Sequence, residues 1–149
     1  MFFNGASSKE GAGARVIFVS PTQETISLSY KLEFETTNNV AEYEALVLGL
    51  REAKDMGIGE LSVFGDAELI VHHIKNLYQT KHPRLISYRN EVWDLVDSFF
   101  SAFNISFIPR EENKMDDSLA ISASNFRIPI PPKIKYDVEV KYRPLYQTM

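Results

Sequence analysis

The sequence contains no cysteine, no long hydrophobic run and no excess of positive charge. The absence of cysteine excludes a secreted disulfide scaffold and a cysteine-ligated zinc finger. Charged residues interrupt every apolar run before it reaches the roughly 20 residues of a transmembrane helix, and no basic region precedes an apolar core at the N-terminus. The formal charge of −4 argues against a protein that holds nucleic acid by bulk charge. We therefore expect a cytoplasmic or nuclear protein without a membrane partner.

The chain is long enough to form one domain with a full core. It has 149 residues, of which 44% are hydrophobic, and a domain of this size needs no disulfide or metal to be stable. The hydrophobic content also argues against a disordered chain. The 20 acidic residues outnumber the 16 basic ones. This excess is compatible with an enzyme that needs clustered carboxylates, so the functional question is which of the acidic residues form such a cluster.

Hydrophobic periodicity predicts an α/β fold. Three alternating segments near the N-terminus predict an antiparallel meander, and helices separate the later strands. Strands that are joined through helices require crossovers and a mixed sheet. The predicted strands cover residues 1–5, 15–19, 25–34, 60–64 and 105–108, and the predicted helices cover 40–56, 67–78, 85–103 and 115–124. The sheet is thus expected to have five strands, three antiparallel and then two parallel, flanked by helices.

The composition changes near residue 126. Three prolines between residues 129 and 132 exclude a helix and favour an extended segment. We therefore predict a domain over residues 1–125 and a proline-rich linker or tail over residues 126–149. Apolar alternation in the tail leaves two interpretations, an edge strand or a connector.

Four polar residues lie either at the end of a predicted strand or at the start of a predicted helix, and the local structure alone could explain each of them. Glu42 would be a capping-box carboxylate if Asn39 capped the helix, although it also shares a face with small apolar residues. Asp66 either caps the next helix or lies among ligand-binding residues beyond a strand end. Asp117 would interact favourably with the helix macrodipole at the start of the last helix. Asn4 is a residue type that is common in turns, such as the turn after the first strand.

Considered together, these four positions converge on one end of the predicted sheet. A central first strand beside the fourth strand would bring all four side chains to the same place. Clustered carboxylates need cations to offset their charge, and hard oxygen ligands select Mg²⁺ or Mn²⁺. Two such ions about 4 Å apart perform in-line phosphodiester hydrolysis. The pattern therefore favours a two-metal phosphodiesterase site.

Five motifs in this order resemble the type 1 ribonuclease H family, in the form found in gypsy-type retroelement polyproteins of plants or in host proteins derived from them. They are FNGAS at 3–7, GAGA at 11–14, NNVAEYEAL at 38–46, GDAEL at 65–69 and PREENKMDDSLA at 109–120. The resemblance implies a ribonuclease H-like fold and an endonuclease that cuts the RNA strand of an RNA/DNA hybrid. It also implies that Glu42, Asp66 and Asp117 hold two Mg²⁺ or Mn²⁺ ions.

The chain departs from the family pattern at three points, one of which is Asp116, where the family usually has alanine. Asn4 stands where the family has its first metal-binding Asp, and an amide offers only one neutral oxygen, so we expect weaker metal binding and reduced activity. The loop histidine that relatives often carry before the last Asp is absent. We expect His72, His73 and His82 to be surface or partly packed residues.

A hybrid is recognised through its phosphates and its minor groove, where 2′-hydroxyls distinguish RNA from DNA. Asn38 and Asn39 are candidates for minor-groove contact, although helix capping also explains them. Lys75, Lys81 and Arg84 are candidates for phosphate contact, although an ordinary solvated face also explains them. Because this charge is sparse, we expect weak and salt-sensitive binding.

Three functions remain open at this point. The first is a nuclease that cleaves RNA/DNA hybrids, weakened by Asn4. The second keeps the fold but cleaves double-stranded RNA, which has a similar A-form shape. The third is a nucleic-acid-binding or protein-binding module without catalysis. We expect a monomer in each case.

Overall fold

The computed structural model describes the backbone of residues 1–113 and 134–141, and the side chains of residues 1–113. Its elements are β1 (Phe2–Ser8), β2 (Gly11–Val19), β3 (Thr25–Leu32), α1 (Asn38–Asp55), β4 (Glu60–Gly65), α2 (Glu68–Ile74), α3 (Pro83–Phe99), β5 (Ala102–Phe107), a 3₁₀ turn (Arg110–Glu112) and β6 (Ile134–Lys141). Three strands come first, and helices separate the strands that follow.

The strands form one sheet in the order β5-β4-β1-β2-β3-β6. β1, β2 and β3 pair antiparallel, whereas β4 runs parallel to β1 and β5 runs parallel to β4. This arrangement confirms the predicted five-strand mixed sheet, with β1 at its centre beside β4.

A sixth strand extends the sheet beyond the five that were predicted. β6 pairs parallel with β3, from Thr25 opposite Ile134 to Leu32 opposite Lys141. For residues 134–141 the edge-strand interpretation of the tail is therefore correct. The predicted helix over 115–124 and the predicted domain boundary at 125 lie outside the described residues.

α1 is the central helix of the core because it is apolar on nearly every side. Every residue from Val40 to Leu50 is buried. The helix contacts β1 and β2 on one side and α3 on the other. Phe3 and Val16, which the sheet contributes to this core, are fully buried. Removal of apolar area from water, at about 25 cal/mol per Å², is the main stabilising contribution.

β1 and α1 approach each other most closely at Gly5. A Cβ atom at this position would lie 2.1 Å from the carbonyl oxygen of Ala41 and 2.4 Å from the amide nitrogen of Glu42. Both neighbours are backbone atoms, which cannot move aside as a flexible side chain can. Only glycine therefore permits the first turns of α1 to rest on the strand.

α1 begins earlier than predicted because Thr37, and not Asn39, is its N-cap. The Thr37 hydroxyl accepts a hydrogen bond from the Val40 amide at 3.2 Å. Glu42 consequently lies in the second turn, and its interpretation as a capping-box residue is wrong. Asn39, which is partly buried, lies in the first turn of the helix.

The other two described helices are shorter than predicted. α2 ends at Ile74, shortly before Asn76 adopts a positive φ of 63°. α3 ends at Phe99 because the amide of Ser101 donates to the carbonyl of Gly59 at 2.8 Å, which brings the chain into β5. Within the described part of the chain, no helix has both the length and the apolar character to cross a membrane.

Replacing Gly5 by alanine should destabilise the domain by roughly 3 kcal/mol or more, because the added methyl group meets backbone atoms that cannot relax. Gly13→Ala is the matched control, since a Cβ atom there lies 3.6 Å from the Tyr30 carbonyl oxygen, an ordinary contact. The control should change stability by less than about 1 kcal/mol. Urea unfolding measures both variants, and equal losses would contradict the close approach at Gly5.

Candidate active site

β1 continues past the end of β4, and the beginning of α1 occupies the edge that β4 leaves open. β4 is in register with only the first two residues of β1. Further along, the amide of Gly5 donates to the carboxylate of Glu42. The amide of Ser7 donates to Asn38 Oδ1 at 2.7 Å. These two hydrogen bonds therefore position Glu42 and connect Asn38, the exposed first residue of α1, to β1.

Glu42 is a buried acid with only 8% of its surface exposed. Its Oε2 atom is buried and has no hydrogen-bond partner among the described residues. Burial is the main reason that the pKa of Glu42 rises to about 8; the negative charge of Asp66 adds to this shift, while the Gly5 amide and Arg110 oppose it. A buried carboxylate beside a second acid is unfavourable alone and becomes favourable when a cation binds.

Asp66 lies immediately after β4, whose last residue, Gly65, is in register with Phe3 of β1. The carbonyl of Gly65 accepts a hydrogen bond from the Ile108 amide at 3.0 Å, which ties the end of β4 to the end of β5. The N-cap of α2 is Ala67, without a side-chain capping bond. The interpretation of Asp66 as a helix cap is therefore wrong, and the partly buried acid lies near Glu42 instead.

Asn4 lies in β1 between Phe3 and Gly5, which both face α1. Strand alternation places Asn4 on the opposite face, directly across from Arg15 of β2. A single peptide bond connects Asn4 to the Gly5 amide that binds Glu42. The structure thus brings Glu42 and Asp66 together near Asn4, at the edge where β4 ends.

Arg110 is a residue near the site that belongs to the motif at 109–120 but for which the sequence predicted no role. It opens the 3₁₀ turn after β5, and its positive charge acts to lower the pKa of Glu42. The guanidinium is therefore near the carboxylate pair. Sequence pattern alone offers no signal for this contact, because it depends on how the loop after β5 returns to the end of β4.

The residues present suit a hard divalent cation. Within residues 1–113, no three His, Cys, Asp or Glu side chains form a group that could hold a metal ion. Glu42 and Asp66 supply two carboxylates, and Asp117 lies outside the described residues. The unbonded Oε2 of Glu42, together with the neighbouring acid, indicates a place where a divalent cation would offset the repulsion between the two carboxylates.

The predicted phosphate-binding residues surround the connection between α2 and α3. Lys75 follows the last residue of α2, Lys81 is exposed in the loop, and Arg84 is partly buried in the first turn of α3. Arg84 acts to lower the pKa of Tyr88, which burial and Glu44 raise. The side chain of Arg84 therefore has a structural contact with Tyr88, and its role in phosphate binding stays a prediction.

A buried polar cluster lies on another part of α1. Tyr88 donates to Glu44 Oε1, and the Tyr43 hydroxyl forms a hydrogen bond with His73 Nδ1. The rings of Tyr43 and Tyr88 stack at 5.4 Å. His73 is 3% exposed, so the expectation of a surface or partly packed residue is wrong for it, whereas His72 and His82 fit that expectation. The cluster joins α1 to α2 and α3 through side chains.

These features define a class of protein: an α/β domain with the ribonuclease H fold, in which the first helix and the fourth strand bring two acids together beside the central strand. The family model described as "Reverse transcriptase-like" matches residues 2–123. The chain belongs to this family.

Solved ribonucleases H have the same fold. RNase H1 from the halophilic archaeon Halobacterium salinarum is 28% identical, with a TM-score of 0.74 over 84% of this chain and 96% of that one. The N-terminal RNase H domain of Rv2228c from Mycobacterium tuberculosis is 29% identical, with a TM-score of 0.71 over 83% and 91%. LC11-RNase H1, solved in complex with an RNA/DNA hybrid, is 30% identical, with a TM-score of 0.71 over 79% and 90%.

Full-length relatives extend beyond the matched region. Ribonuclease HI of Halobacterium salinarum is 30% identical over 124 residues, which are 82% of this chain and 62% of that protein. The bifunctional protein Rv2228c of Mycobacterium tuberculosis is 32% identical over 119 residues, which are 80% of this chain and 32% of that protein. The chain is thus homologous to ribonucleases H but spans less than two thirds of either relative.

Replacing Glu42 by glutamine should stabilise the metal-free protein increasingly as the pH rises. In the folded state the Glu42 carboxyl holds its proton up to a pKa of about 8, against an ordinary value of 4.5. The wild-type chain therefore loses stability between these pH values, because the unfolded state releases its proton first. The variant lacks this loss, and its advantage near pH 8 should be about 2 kcal/mol, or roughly 5 °C in Tm.

The measurement is thermal unfolding in EDTA at several pH values between 5 and 8. Glu10→Gln, at an exposed position in the turn between β1 and β2, is the control and should follow the wild-type pH dependence. If the stability of Glu42→Gln depends on pH in the same way as that of the wild type, the pKa of Glu42 is not raised by its surroundings.

Proposed function

We propose that this chain is a ribonuclease H-type endoribonuclease that hydrolyses the RNA strand of RNA/DNA hybrids with divalent metal ions. The observation that carries this proposal is the buried Glu42 carboxylate, bound by the Gly5 amide and placed beside Asp66. Similarity to ribonucleases H supports it, since one of them was solved in complex with a hybrid. The motif pattern also favours an origin in a retroelement polyprotein.

Glu42, Asp66 and Asp117 would hold the ions, for which we propose two Mg²⁺ or Mn²⁺ per site. The chemistry that these residues would gain from bound ions is activation of a water molecule and stabilisation of the departing 3′ oxygen. The Gly5 amide holds the Glu42 carboxylate in place, so that its unbonded Oε2 is available as a ligand. Asn4 contributes at most a neutral oxygen, which cannot offset cation charge as an acid would.

The substrate contacts that we propose come from the start of α1 and from the connection between α2 and α3. Asn38 and Asn39 lie in the first turn of α1, three to four residues before Glu42, and would contact the minor groove. Lys75, Lys81 and Arg84 would contact phosphates. All of these positions belong to one chain, so a monomer is sufficient for the proposed activity.

Replacing Asn4 by aspartate should raise the Mg²⁺-dependent cleavage rate roughly 10²-fold, the scale on which one well-placed charge affects a developing transition-state charge. The assay uses a labelled hybrid, with a matched RNA duplex and a matched DNA duplex alongside. Asn90→Asp is the control, because Asn90 is an exposed residue of α3 and the substitution changes the charge equally. The control should leave the rate unchanged.

The assay also separates the other two functions. If Asn4→Asp cleaves the RNA duplex in preference to the hybrid, the substrate is double-stranded RNA and the proposed hybrid specificity is wrong. If both the wild type and Asn4→Asp bind duplexes but cleave none of them, even at high protein concentration, the protein is a binding module and not a nuclease. Asp66→Asn in the Asn4→Asp background should remove the gained activity, because it removes a carboxylate from the site.

A further inference from the structure

α2 is a short helix whose position depends on side chains from its neighbours. It has seven residues, too few for an isolated helix to be stable in water, and its N-cap, Ala67, makes no side-chain capping bond. At its other end, the Arg89 side chain of α3 donates to the His73 carbonyl at 3.2 Å. Trp93 Nε1, also from α3, donates to the Ile74 carbonyl at 3.2 Å. α3 therefore fixes the end of α2 that is farther from β4.

A buried hydrogen bond between Tyr43 and His73 connects α2 to α1. The Tyr43 hydroxyl and His73 Nδ1 form this bond, and the two rings meet edge to face with their centroids 5.8 Å apart. Burial and the charge of Arg89 lower the pKa of His73, and burial raises the pKa of Tyr43, so the bond joins two neutral groups near pH 7. Because both residues are buried, breaking the bond would leave a polar atom unsatisfied.

Each partner in this bond is connected through the chain to one of the two acids. Tyr43 directly follows Glu42 in α1, and Asp66 lies two residues before the first residue of α2, the helix that carries His73. The end of β4 fixes the chain before Asp66, and α2 fixes the chain after it. The negative charge of Asp66 acts on Glu42, so without a cation the two acids repel each other. The bond between Tyr43 and His73 opposes this separation of α1 and α2.

We propose that Tyr43 is a positioning residue that, through His73, holds α2 so that Asp66 remains beside Glu42. The positions of the two acids do not depend on the proposed function, whereas the consequence for metal binding rests on it. A binding site that is already ordered costs less free energy to occupy than one that must first be ordered. The bond should therefore raise the affinity for a divalent ion, although neither Tyr43 nor His73 is a proposed ligand.

The direct test is the affinity of the full chain for Mn²⁺ alone, measured from the electron paramagnetic resonance signal of the free ion. Tyr43→Phe removes only the hydroxyl and should weaken Mn²⁺ binding about 10-fold. Tyr88→Phe is the matched control, because it removes the hydroxyl of the stacked neighbouring ring, which donates from α3 to Glu44 of α1. The control should change the affinity less than 2-fold. Equal losses in the two variants would overturn the proposal.

A double-mutant cycle tests whether Tyr43 acts through His73. His73→Leu should weaken Mn²⁺ binding about as much as Tyr43→Phe, and the double variant should be no weaker than either, because all three lack the same bond. If the losses add in the double variant, Tyr43 does not act through His73 and the proposal fails. His73→Asn should retain part of the affinity, since its amide can replace the Nδ1 atom. These two His73 variants also give the answer if Tyr43→Phe proves unstable in thermal unfolding, and equal Mn²⁺ affinities of the two would overturn the proposal.

A metal-free measurement distinguishes failure of this inference from failure of the proposed function. The probe is hydrogen exchange in EDTA at the Val71 amide, which donates to the Ala67 carbonyl at 3.0 Å, relative to the Phe64 amide within the sheet. Tyr43→Phe should speed this relative exchange about 10-fold, and Tyr88→Phe should change it less than 2-fold. If Val71 responds in this way but the wild type binds no Mn²⁺, the positioning contact stands and the proposed metal site fails. If Val71 does not respond, the positioning role is wrong even where Mn²⁺ binds.

Discussion

The contact between Gly5 and the backbone of α1 is the constraint on which the rest of the site depends. Because glycine has no Cβ, the second turn of α1 lies directly on the central strand, at 2.1 Å from where a Cβ atom would be. That proximity allows the Gly5 amide to donate to Glu42. The same contact buries an acid in the core, at an energetic cost that a surface carboxylate would not have.

The candidate site consequently contains two neighbouring acids whose negative charges are not fully offset. Glu42 and Asp66 repel each other, and Arg110 only partly offsets them. Asn4, a neutral residue, lies directly opposite Arg15 of β2 and carries no charge that could add to this repulsion.

Local sequence patterns were sufficient for the order of the elements but not for their ends. Alternation predicted β3, and the apolar stretch predicted α1, because periodicity depends only on neighbouring residues. Thr37 and Asn39 are both good capping residues, and the choice between them depends on how the chain leaves β3. His73 illustrates the same limit, since its burial comes from Tyr43 on another helix.

The sequence by itself determined the residue types available to the site, the α/β architecture and the likeness to ribonuclease H, because these follow from periodicity and from motif order. Only the tertiary structure decided that Glu42 rests on the Gly5 amide, that Arg110 returns to it, and that Arg15 opposes Asn4. These contacts join residues far apart in the chain. Their existence depends on strand register and on the close crossing of β1 and α1, which no local pattern specifies.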